Sequence, residues 1–160
     1  MHYIAHRGLF KGPNAEAENT PWQIITAWEA GFSCEIDIWW DGETWLLGHD
    51  RPTIAIDDFA WLNRSDAWLH CKNLAAFHRL CDINQAGELV ADFFWHETDQ
   101  VVRTAQGRIW TYLGLPDTLG PYSICVMPEL NYSFNQVAKI KNCAGFCSDH
   151  VEAIRILHQQ

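Results

Sequence analysis

The chain has 160 residues, enough for one domain with a sizeable core, and 48% of them are hydrophobic against 19% charged. Its formal net charge of -9 argues against nucleic acid and anionic membranes as partners, since both are bound through basic surface. No run approaches transmembrane length, and no basic stretch leading into an apolar one marks a secretory signal, so neither a membrane span nor export is expected.

The first apolar run, "YIAHRGLF" (3–10), reads as a strand that ends at His6 and Arg7, with Gly8 turning the backbone close to a ligand. Thr20, Pro21 and Gln23 form a helix start, a Thr-x-x-Gln capping box with proline at the first helical position. Trp22, Ile25 and Trp28 then recur at helical spacing, and Gly31 supplies the stop. "CEIDIWW" (34–40) reads as a buried strand, Asp41-Gly42 as a two-residue hairpin turn, and "ETWLLGH" (43–49) as the returning strand. In that register Trp40 opposes Glu43 and Glu35 opposes Gly48, so His49 comes back beside Glu35 and Asp37.

"WLHCKN" (68–73) is the next strand, after which Asn73 caps a helix through Leu74, Phe77 and Leu80. "ELVADFFW" (88–95), "RIWTYL" (108–113), "YSICVMP" (122–128) and "GFCSD" (145–149) follow as strands. One helix carries Phe134, Val137 and Ile140 on one face, and a last one opens with an Asp149-to-Glu152 capping box. Strands alternating with helices predict parallel βαβ units. The expected fold is a single domain over 1–160, a compact TIM-type (β/α) barrel with some outer helices shortened or missing. An ordinary barrel needs at least about 200 residues. An open doubly wound sheet is the alternative. Strand backs left bare by missing helices would suit a homo-oligomer. The six cysteines form no CxxC pair and sit mostly in apolar runs, which reads as reduced core thiols of a cytoplasmic protein.

In a parallel barrel the C-terminal strand ends share one face. Ionisable groups collect there: His6 and Arg7, Glu35 and Asp37, His70 and Lys72, His96 and Glu97 with Asp99 beyond, then Glu129 and Asp149. Glu35 and Asp37 are two apart and face the same side of one strand. Two carboxylates converging among apolar neighbours repel and lose hydration, and one divalent cation, Mg²⁺ or Ca²⁺, resolves both costs.

The motifs "HRG" (6–8), "ENT" (18–20), "EID" (35–37), "DG" (41–42) and "HD" (49–50), in that order and spacing, resemble the glycerophosphodiester phosphodiesterase family of the phosphatidylinositol-phospholipase-C-like phosphodiesterase superfamily. The resemblance covers about the first 50 residues and extends to "LHCKN" (69–73). It implies a TIM barrel that hydrolyses a small phosphodiester with a divalent cation and two histidines. His6 and His49 would be the acid/base pair, Glu35 and Asp37 metal ligands, and Arg7 and Lys72 phosphate clamps. Glu18 would support the first loop or the metal. The family's inserted subdomain after His49 is missing. Its third metal-binding glutamate, two before the lysine, is His70 here. His70 as the third ligand would favour Mn²⁺ or Zn²⁺; otherwise Glu18 or Glu97 supplies an oxygen. The implied route is attack by a neighbouring substrate hydroxyl, giving a cyclic phosphate that water opens.

Charge on the phosphoryl oxygens calls for a cation, Arg and Lys, and histidine can serve as acid or base near neutrality. Trp110 and Tyr112 are candidates to line the substrate pocket, His96 is a spare proton-transfer candidate, and Asp149 reads as a helix cap. Two further readings keep the same residues: a lyase that releases the cyclic phosphate, and a barrel that binds a phosphorylated ligand without turnover.

Overall fold

The computed structural model describes residues 1–114 and 119–160. In chain order they form β1 (His2–Ala5), α1 (Pro21–Glu29), β2 (Ser33–Trp40), β3 (Trp45–Leu47), β4 (Ile54–Ile56), β5 (Ala67–Cys71), α2 (Leu74–Gln85) and β6 (Asp92–Trp95). Then come β7 (Val101–Arg103), β8 (Ile109–Tyr112), β9 (Ser123–Val126), α3 (Phe134–Val137), β10 (Gly145–Ser148) and α4 (Val151–Gln159). No helix among the described residues is long and apolar enough to cross a membrane.

Parallel pairing runs β6–β5–β2–β1–β10–β9–β8, and antiparallel pairing is confined to β2–β3, β3–β4 and β7–β8. The result is a mixed α/β fold with one ten-stranded sheet that does not close. The expected closed barrel is therefore corrected to this open sheet: among the described residues β6 pairs only with β5. Side chains and loop bonds from residues 104–106 fill the seam, Gln106 N–H donating to Asp92 Oδ1 at 2.9 Å. The Phe94 ring meets Trp110 at 4.6 Å, and Ala105 N–H donates to the Phe93 carbonyl at 2.8 Å. Hairpins follow β2 and β6 where a barrel would carry helices.

Strand alternation divides the core. One face of the sheet buries Ile4, Trp68, Phe94, Trp110, Ile124, Val126 and Cys147 together. The other face buries against helices, with Ile24, Ala27, Ile36, Ile38, Leu69 and Leu80 in one cluster and Cys125, Val137, Phe146 and Ile154 in another. All six cysteines are free.

Local signals explain the helices and their differences from expectation. Thr20 Oγ1 accepts from Gln23 N–H, but Gln23 does not reach back to complete the capping box; its Nε2 donates to the Gly8 carbonyl at 2.8 Å and ties the first loop to α1. Gly31, at φ +75°, ends α1 in a Schellman motif, with Phe32 N–H on Ala27 and Gly31 N–H on Trp28. The buried stripe is Ile24 and Ala27, whereas Trp22 is 69% exposed and Ile25 is also exposed. Of the expected Trp22–Ile25–Trp28 stripe, only Trp28 packs against the core, half-buried beside Trp61. α3 has four residues, because Lys139 and Ile140 N–H groups bond three residues back and tighten the chain out of the α-helix. α4 begins after His150, and Asp149 is not its cap.

The β2–β3 hairpin also differs in register. Asp41 Oδ1 accepts from both Glu43 and Thr44 N–H, so the turn spans 41–44 and Trp40 pairs with Trp45. Gly48 N–H accordingly meets the Asp37 carbonyl at 3.3 Å, not Glu35.

Candidate active site

The C-terminal ends of the parallel strands open into a cleft of about 510 Å³. His6, Arg7, Glu35, Asp37, His49, His70, Lys72 and Trp110 all line it, together with His96, Tyr112 and Asp149. Strand period explains the layering: Trp68 and His70, Phe94 and His96, Trp110 and Tyr112 are pairs two apart, with an apolar plug below and polar groups above.

Asp37 is the hub. Its backbone N–H donates to Asn19 Oδ1 at 2.9 Å, and Asn19 Nδ2 donates to its Oδ2 at 2.8 Å. Arg7 Nε lies 3.3 Å from the same oxygen. The other oxygen, Oδ1, faces His70 Nδ1 at 3.0 Å and Lys72 Nζ at 3.4 Å, yet it is buried without a hydrogen bond of proper geometry. Burial alone would raise the Asp37 carboxyl; His70, then Lys72 and Arg7, outweigh it and hold the group well below the usual carboxylate range. Glu35 Oε2 accepts from Arg7 N–H at 3.0 Å, and its Oε1 lies 3.5 Å from His70 Nδ1.

The first loop is shaped for these contacts. Arg7 and Asn19 both adopt positive φ, at 53° and 56°, and Asn19 N–H donates to the Arg7 carbonyl. A Cβ on Gly8 would meet the Ile24 backbone at 3.2 Å, so this glycine serves close loop–helix packing, not the expected approach to a ligand.

His6 Nδ1 lies 2.8 Å from Asp149 Oδ1. An ionised carboxylate can only accept, so Nδ1 carries the proton there. Burial alone would lower the His6 pKa, but the Asp149 bond and the Glu35 charge outweigh it and raise it. His70 behaves likewise: burial lowers, Asp37 and Glu35 win, and the ring is raised. His96 stacks on His70 at 4.6 Å with the planes 2° apart, and burial, then His70 and Lys72, lower it to about 4. His49 stands at the rim with Nδ1 2.6 Å from Asp50 Oδ1.

Two residues fall elsewhere. Glu18 accepts from Arg7 Nη1 at 3.0 Å and lies outside the cleft lining, so it supports the first loop and not the carboxylate pair. Glu129 also lies outside it, on Ser148. Glu97 and Asp99 are at the rim. The sequence alone gives Asn19 no role, although it sits within "ENT"; the tolerance of asparagine for positive φ is the one signal that points to it. Asp149 has the sequence position of a cap, yet its carboxylate is engaged by His6.

The set Glu35, Asp37 and His70 brings three ligand atoms within 4.8 Å of one another. Two buried carboxylates, one imidazole and the orphaned Asp37 Oδ1 fit a divalent cation. Comparison with family models, with curated proteins and with solved structures returns no match.

Proposed function

We propose that the protein is a metal-dependent phosphodiesterase that hydrolyses a small glycerophosphodiester-like substrate, built on this open mixed sheet. One observation carries the reading: a carboxylate-held histidine, His6–Asp149, opens on the same cleft as the paired carboxylates, Arg7 and Lys72. Glu35, Asp37 and His70 would hold the cation. When bound there, it would supply Lewis-acid stabilisation of charge on the phosphoryl oxygens.

The chain's own residues account for the rest. Arg7 and Lys72 attract the phosphodiester anion. Asp149 fixes His6 Nδ1–H, which leaves Nε2 as the nitrogen free for proton transfer, and the Asp149 bond and Glu35 charge favour the protonated ring against burial. A substrate hydroxyl attacks phosphorus and gives its proton to His49. The phosphorus–oxygen bond to the leaving alcohol breaks, and that oxygen takes the His6 proton. Water opens the cyclic phosphate with the two roles exchanged. Trp110 and Tyr112 form the wall beside this centre. The free thiols support a reducing, cytoplasmic setting.

The test is phosphorus NMR of glycerophosphodiesters incubated with the protein and Mg²⁺, Ca²⁺, Mn²⁺ or Zn²⁺ in turn. A phosphomonoester product is expected. Accumulation of cyclic phosphate would convert the reading to a lyase, and no turnover with any cation would reduce it to a binding protein.

A further inference from the structure

Glu129 is a half-buried carboxylate that the mechanism above does not use. It follows β9, and its Oε1 accepts the hydroxyl of Ser148, the last residue of β10. Ser148 is fully buried, and its Oγ accepts from His150 N–H at 2.9 Å. A hydroxyl has one proton to give, so with His150 donating to it, Ser148 must donate to Glu129. The Ser148 carbonyl also accepts His6 N–H at 3.4 Å, and the Asp149 carbonyl accepts Gly12 N–H at 2.8 Å. Asp149 therefore hangs between two peptide units that are both anchored, and from there its Oδ1 holds His6 Nδ1. No other hydrogen bond to the Asp149 carboxylate is formed among the described residues.

We propose that Glu129 is a positioning residue for His6, acting through Ser148 to hold the 148–150 segment so that the Asp149 carboxylate fixes the imidazole tautomer. The inference rests on the reading of His6 as a proton-transfer group, but its geometry does not depend on any substrate. Without the Ser148–Glu129 bond the hydroxyl can rotate, His150 N–H loses a fixed acceptor, and Asp149 is freed to turn to solvent. The His6 ring then samples both tautomers, and Nε2 is no longer reserved for the cleft.

The test reads the His6 ring directly, by long-range proton–nitrogen NMR on the uniformly nitrogen-15-labelled full chain, with His6 assigned from a His6→Gln spectrum. Wild type should show the Nδ1–H tautomer with a protected ring proton. Ser148→Ala and Glu129→Ala should each speed exchange of that proton by roughly tenfold, the size expected for losing one buried hydrogen bond. Glu129→Gln keeps a carbonyl oxygen for the Ser148 hydroxyl and should restore protection. Exchange of core amides at Ile36 and Leu69 should stay unchanged. A wild-type His6 ring in both alanine variants would overturn the proposal, as would equal acceleration of the core amides, which would make Glu129 merely structural. If Glu129→Ala does not fold, Ser148→Ala and Glu129→Gln decide the same question between them. Turnover gives a separate arm: where wild type is active, Ser148→Ala should lower kcat and spare KM. An inactive wild type with the ring effects present would sink the phosphodiesterase reading and leave the positioning role standing.

Discussion

Asp149→Asn isolates the His6 contact. The amide can present its N–H₂ to Nδ1 and select the wrong tautomer, so turnover should fall by about 10² to 10⁴ with KM little changed. The same pair predicts a pH dependence of stability. His6 is raised in the folded state, so its contribution is fully present below the unfolded value of about 6.5 and disappears as pH rises through the folded value. Urea unfolding of wild type and Asp149→Asn should therefore differ more at about pH 6 than at about pH 9. A difference that grows with pH would contradict the ion pair. For the carboxylate pair, a cation at about a hundred times its Kd should stabilise wild type by about 2.7 kcal/mol, and Glu35→Gln or Asp37→Asn should abolish the shift in thermal melting. If His70 is the third ligand, His70→Glu should move the cation ranking from Mn²⁺ or Zn²⁺ towards Mg²⁺ or Ca²⁺, read in the same melts.

Elements position these residues through backbone constraints as much as through side chains. Gly48 adopts φ +141°, and a Cβ there would fall 2.2 Å from the Arg51 carbonyl oxygen. That oxygen is backbone and cannot swing away. Gly48→Ala should cost about 1–3 kcal/mol in denaturant unfolding and displace His49, which follows it directly. Capping chemistry makes the start and stop of α1 legible in the sequence, because Thr20, Pro21 and Gly31 act on the nearest few residues. Its buried face is not legible: Trp22, Ile25 and Trp28 satisfy a helical period as well as Ile24 and Ala27 do, and only the packing partner chooses between them. The β2–β3 register turns on which amides Asp41 caps, a competition between two turn geometries that an Asp-Gly pair permits equally.

At the scale of the molecule, the sheet curls without completing its ladder, and Trp110 occupies the seam. It contacts Trp68 at 5.8 Å as well as Phe94, and it is 4% exposed. Trp110→Ala should cost roughly 3–5 kcal/mol, since no backbone ladder between β6 and β8 shares the load. A loss below about 1 kcal/mol would show that the seam is held by the 104–107 turn alone. β2 and β6 are followed by hairpins instead of outer helices, and β7, the antiparallel arm of the second hairpin, ends the strand order without pairing to β6.

Apart from β4 and β7, whose three residues each are too few to show a period, the strands, their parallel order and the clustering of ionisable residues at their C-terminal ends were determined by the sequence, because period-two burial and parallel βαβ order are local properties repeated along the chain. So was the shared side of Glu35 and Asp37, which needs only two residues of one strand. Long-range packing decided what each polar group touches. Asn19 and Asp37 are 18 residues apart, and His6 and Asp149 are 143 apart. A carboxylate such as Asp149 can cap its own helix or reach across the sheet to a histidine. The short-range signal is the same in both cases, and the choice is made by β1 and β10 lying side by side, which places the His6 ring 2.8 Å from the Asp149 oxygen.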